Sequence, residues 1–138
     1  MTDQEAYDEL SLYTLQKGDP EFIHQYIVDA YAAQHPLDNL KPIRVYFALA
    51  GLYLHLEKRF SGRQVQLAHI EMAKKRRSWP VYTAPDDLGK ITVFDVLEEP
   101  EGPERDKAII EWSRSVWDAW RDEHPAIALA VSSDLGIK

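Results

Sequence analysis

The 138 residues are 45% apolar, with four Trp and seven Tyr, which is too rich in core-forming side chains for a disordered chain and too short for two ordinary domains; one domain over 1–138 is expected. The absence of cysteine excludes disulfides, thiol catalysis, thiolate zinc sites and iron–sulfur clusters, leaves histidine and carboxylate as the only metal ligands, and fits a reducing, cytoplasmic setting. A net charge of −7 disfavours a general nucleic-acid binder, and the longest apolar stretch, Val45 to Leu56, is shorter than a membrane span and contains His55, so no membrane association is expected.

In chain order, Ala6 to Leu15 places Leu10 and Tyr13 on one side of a short amphipathic helix that Gly18-Asp19-Pro20 ends. Asp19 as N-cap, Pro20 at the first helical position and Glu21 behind it predict a second helix, continued by Ile23, Ile27, Ala30 and Gln34 up to His35-Pro36. After a loop from Leu37 to Lys41, Pro42 opens a third helix over about 42–58 that is apolar nearly all round and is expected to be the most buried element. Ser61 caps a fourth, which runs through Val65, Ala68 and Met72 to a basic run before Trp79-Pro80. Val81 to Lys90, with Pro85 and Gly89, reads as an irregular surface connection.

Thr92 caps a short turn, Val93 to Leu97, and Pro103 opens a long helix whose apolar arc holds Ile109, Ile110, Trp112, Val116, Trp117 and Trp120, with Ser113 and His124 inside it. Pro125 to Leu135 is apolar enough to dock as a short final helix. No stretch alternates with period two long enough to need a strand, so the expected fold is an all-α bundle of five to seven helices around the 42–58 helix.

One phrase occurs twice. Asp29-Ala30-Tyr31-Ala32-Ala33-Gln34-His35-Pro36 is echoed by Asp118-Ala119-Trp120-Arg121-Asp122-Glu123-His124-Pro125, and an offset of 89 also aligns Ile23 with Trp112 and Ile27 with Val116. The spacing predicts that Tyr31 with His35, and Trp120 with His124, share a helix face at i and i+4. A decayed duplication and two unrelated helices with the same stop signal both account for it.

The segment Phe22-Ile23-His24-Gln25-Tyr26-Ile27-Val28-Asp29-Ala30-Tyr31-Ala32-Ala33-Gln34-His35 resembles the signature of a bacterial family known as a domain of unknown function. The resemblance continues through Phe47 to Leu54, Gly62-Arg63-Gln64-Val65-Gln66, the His69 region, Trp79-Pro80, Ile91 to Leu97 and Trp112 with Ser115-Val116-Trp117. It implies no established activity or cofactor. Many members begin with a cysteine-bearing, zinc-ribbon-like segment, and this sequence contains no cysteine, so no metal role is carried over from them.

Three chemistries compete for the candidate residues. A metal or small-molecule enzyme would use histidines assembled between helices, drawn from His24, His35, His55 and His69, because His24 and His35 on one continuous helix lie about 16 Å apart and no His-x-x-x-His occurs. Arg44, Ala48, Gly51 and His55 fall on one face, which reads either as a close helix crossing or as a small pocket floored by Gly51. Tyr31, Trp112, Trp117 and Trp120 read either as core or as an aromatic cavity, and Trp117, Trp120 and His124 are the aromatic helix-end candidates.

Arg63, Lys74, Lys75, Arg76 and Arg77 beside Trp79 read either as a helix end meeting its dipole or as a weak nucleic-acid patch over 63–79. Ser113 has no nucleophile elbow or oxyanion loop around it. With no catalytic motif, the sequence favours a binding or protein-interaction module, with a protein partner or a homodimer as its possible assembly; an inter-helix histidine enzyme is the alternative.

Overall fold

Three capping boxes and three helix-opening prolines set much of the frame in the computed structural model, which describes residues 1–38, 41–76 and 78–137. Among these residues the order is α1 (Asp3–Lys17), α2 (His24–Gln34), α3 (Pro42–Lys58), α4 (Gly62–Lys75), α5 (Val93–Glu98), α6 (Pro103–Ala119), a 3-10 turn (Arg121–Glu123) and α7 (His124–Leu135), with no strand. Thr2 caps α1, its hydroxyl accepting from Glu5 N while the Glu5 carboxylate accepts from Thr2 N, so α1 begins earlier than the apolar spacing alone indicates. Ser61 and Gln64 make the same reciprocal pair at α4. The fold is the expected all-helical bundle, and no helix among the described residues is long and apolar enough to cross a membrane.

Helix α3 buries Tyr46 and all of Ala48 to Leu54 and packs against α2, α4, α6 and α7, as its all-round apolar pattern requires. Its most extensive partner is α2, which also lies along α6. The indoles of Trp112, Trp117 and Trp120 are buried, and each N–H finds an acceptor: Gln34 Oε1, Glu57 Oε1 and Ala33 O respectively. Trp120 thereby satisfies a carbonyl that the end of α2 leaves without an intrahelical donor. Gln34 uses its amide twice more, donating to Leu88 O and Ile91 O, and so fastens the irregular connection to the bundle.

Two boundaries differ from expectation. Asp19-Pro20 begins a turn and not a helix: Asp19 Oδ2 accepts from Ile23 N, Phe22 takes a left-handed φ of 58°, and α2 starts only at His24. The cause is tertiary. A Cβ on Gly62 would collide with Phe22 O, and Arg63 N donates to Glu21 O, so the turn is moulded against the first residue of α4. The second difference is at α6, which ends at Ala119; residues 121–123 tighten into the 3-10 turn and Pro125 starts α7, where its missing N–H costs nothing. His124 therefore opens a helix, whereas His35 closes one.

The end of α7 is locked to α3 and α4 by a buried carboxylate: Tyr46 Oη and Arg76 Nε donate to Asp134 Oδ2 at 2.6 and 2.7 Å. Replacing Asp134 by Ala is expected to cost about 2 kcal/mol in chemical denaturation. The cost stays below that of a fully buried pair because the Arg76 side chain, 27% exposed, can regain water.

Candidate functional site

The five histidines do not converge, and among the described residues no three His, Asp or Glu side chains come together in a group that could hold a metal ion. His24 Nδ1 and Thr14 Oγ1 share a hydrogen bond, tying α2 to α1, and burial lowers the pKa of that imidazole. His35 stacks on Tyr31, donates from Nδ1 to Tyr31 O, and places Nε2 3.0 Å from Asp3 Oδ2. Tyr31 is itself stacked on Tyr7, so this end of α2 is a layered ring contact with α1. Arg44 donates to His35 O and closes the C-terminus of α2.

A regularity singles out one imidazole. His35, His69 and His124 each stack on an aromatic ring and each donate to the backbone carbonyl of that same residue: Tyr31, Phe47 and Trp117. The second repeat copy thus pairs His124 with Trp117 and not with Trp120, because the 3-10 turn swings the ring back over the end of α6. His55 also stacks, on Tyr26 at 3.5 Å between centroids and 8° between planes, but has no such donor contact; its buried Nδ1 has no hydrogen-bond partner. Burial, with the nearby Arg114 charge, lowers its pKa to about 4, so His55 is neutral at physiological pH.

The stack follows from a close helix crossing. The space above Gly51 on α3 is filled by the carboxyl of Asp29 on α2, where any Cβ would overlap it. The face holding Ala48, Gly51 and His55 is therefore a tight crossing, and no pocket is floored by Gly51. Because α2 and α3 run past each other in opposite senses, one turn along from Asp29 and Gly51 the rings of Tyr26 and His55 are brought into register. Asp29 is fully buried, accepts from Gln25 Nε2 through Oδ1, and leaves Oδ2 without a partner; burial pushes its pKa well above the carboxylate range.

Tyr26 and His55 form the wall between two adjoining hollows of about 540 and 440 Å³, which also share Glu21 and Ile110. Lys17, Asp19 and Asp106 border the first; Arg59, Gln64 and Arg114 border the second. Sequence reasoning reached His55 but missed Tyr26, Arg59 and Arg114. Tyr26 carried a usable signal as a ring one turn before Asp29 in the most specific motif, whereas the two arginines are brought together only by packing.

The other candidates have structural occupations. Ser113 Oγ donates to Ile109 O inside the core. Of the basic run, Arg76 is taken by Asp134, Lys74 lies 3.3 Å from Glu71, Arg63 donates to Gln66, Lys75 is exposed, and Arg77 lies outside the described residues. Trp79 meets Phe47 edge-on and is not a free stacking platform. Trp120 borders a small apolar hollow of about 220 Å³ with Pro42, Pro80 and Tyr82.

The molecule is thus an all-α bundle with a mixed polar and aromatic cleft between α2, α3 and α6. The chain belongs to a family of unknown function, DUF5946, which it matches over residues 4–121. No curated protein and no solved structure matches it.

Proposed function

We propose that this protein is a binding module for a small molecule, with the double hollow around Tyr26 and His55 as its site. The observation that carries this reading is His55: alone among the four ring-stacked imidazoles it has no protein hydrogen-bond partner, and it lies on the wall of both hollows. Their volumes suit compact ligands, and convergent polar groups beside an aromatic wall are the usual make-up of such sites. With Nδ1 buried, the neutral imidazole presents Nε2 to a ligand, and Tyr26 and Ile110 offer apolar cover. The absence of cysteine supports a cytoplasmic setting, and the motif at 22–35, which contains Tyr26, supports a bacterial origin.

A fragment library followed by protein-observed NMR tests the proposal. Fragments are expected to shift resonances of Tyr26, His55 and Ile110, with affinity reduced at least about tenfold in His55→Ala. Ile110→Trp, which fills the cleft without removing the stack, is expected to have the same effect in a protein whose circular dichroism is unchanged. Fragments that bind only elsewhere, or bind both variants as they bind the parent, would overturn it.

A further inference from the structure

We infer that the ligand of this cleft carries an anionic head, a carboxylate or a phosphate, held between Arg59 and Arg114; the inference rests on the binding function proposed above. The arginines among the described residues divide cleanly. Arg44 donates to His35 O, Arg63 to Gln66, Arg76 to Asp134, Arg105 to Leu97 O and Glu99 O, and Arg121 to Asp118 O. Among the described arginines only Arg59 and Arg114 have a guanidinium with neither a hydrogen-bond nor an ion-pair partner, and both border the same 440 Å³ hollow. Glu21 also borders the hollow but forms no ion pair with either arginine; in a chain with 23 acidic and 16 basic residues, two guanidiniums that border one concavity and pair with none of its carboxylates mark a place for an anion from outside.

Arg59 is held there against its backbone preference. It closes α3 in the left-handed conformation, φ 60°, a position that glycine fills at little cost and that other residues adopt under strain. Gln64 contributes its side chain to the rim of the same hollow, but its Oε1 is engaged by Ser61 N, which leaves its amide N–H groups as donors. His55 borders the hollow as a neutral ring, so the positive charge on this wall comes from Arg59 and Arg114. Paired guanidiniums are suited to bidentate capture of planar carboxylate or tetrahedral phosphate oxygens. The two open hollows together have room for the head and a compact body laid over Tyr26 and Ile110.

Matched probes test this: benzoate, phenyl phosphate, benzamide and benzylamine, titrated by calorimetry and NMR into the parent protein, Arg59→Gln/Arg114→Gln and His55→Ala. Benzoate or phenyl phosphate is expected to bind at least about tenfold tighter than benzamide, to shift the side-chain resonances of Arg59 and Arg114, and to lose that advantage in the double arginine variant. Which of the two anions binds tighter distinguishes a carboxylate from a phosphate source. If benzamide or benzylamine binds at Tyr26 and His55 as well as the anions do, and the double arginine variant is unaffected, the anionic head is wrong and the cleft stands. If neither these probes nor the fragment library reaches the cleft, the inference and the function both fall.

Discussion

Replacing Gly51 by Ala is expected to destabilise the protein by about 3 kcal/mol or more, because the new methyl would occupy the position of the Asp29 carboxyl and the α2–α3 crossing would have to open. Neither partner can yield easily: Gly51 lies in the most buried run of α3, and Asp29 is enclosed on every side. The same change moves Tyr26 away from His55, so the ring stack and ligand binding should weaken with the fold. Asp29→Ala in the Gly51→Ala background supplies the control. Removing the carboxyl frees the required volume, and the double variant should recover on the order of 2 kcal/mol relative to additivity in urea denaturation. Strict additivity of the two changes would mean that the crossing is not what Gly51 protects.

Acid is expected to unfold the protein through His55 and His69. Both have folded-state pKa values lowered to about 4, by burial in each case, with the Arg114 charge adding to the effect at His55. An imidazole whose folded pKa lies below its unfolded value of about 6.5 contributes stability that is fully present above 6.5 and lost as pH falls through 4. Each site is worth about 3 kcal/mol across that window. Asp29 acts with the opposite sign: its pKa is raised by burial, so its contribution is full below the unfolded carboxylate pKa and is lost as pH rises.

Urea denaturation at several pH values between 7.5 and 4 separates the two effects. The parent should lose stability on acidification, and His69→Gln, whose amide can still donate to Phe47 O, should flatten the slope by up to one proton. Asp29→Asn should be more stable than the parent at pH 7.5, with the gain vanishing toward pH 4. A pH-independent parent would contradict the burial of these imidazoles.

Local signals carried the frame. Pro42, Ser61, Thr92 and Pro103 mark the starts of α3 to α6, and the apolar periodicity of 42–58 marks the most buried helix. Where the reading failed, a distant contact had overruled a local rule. Asp19-Pro20 is a sound start signal, but Gly62, far along the chain, moulds the Phe22 turn and delays α2. Pro125 marked the end of one helix and the beginning of another, and chain order alone does not tell which role dominates. The basic cluster ending in Arg76 was visible as charge; its claim by Asp134 across 58 residues was not. The site was half legible: His55 stands out beside small residues on a helix face, while Arg59 and Arg114 acquire meaning only when α3, α4 and α6 are brought together.

The side chain of Gln34 joins three parts of the molecule that no helix connects: the end of α2, the indole of Trp112, and the Leu88 and Ile91 carbonyls up to 57 residues away. Because one amide holds all of them, the long irregular connection has no independent anchorage at these two carbonyls. In terms of local unfolding, residues 88–91 and the last turn of α2 are expected to open together when that amide lets go, while Thr83 N, donating to Glu123 Oε2, keeps the earlier part of the connection on the bundle.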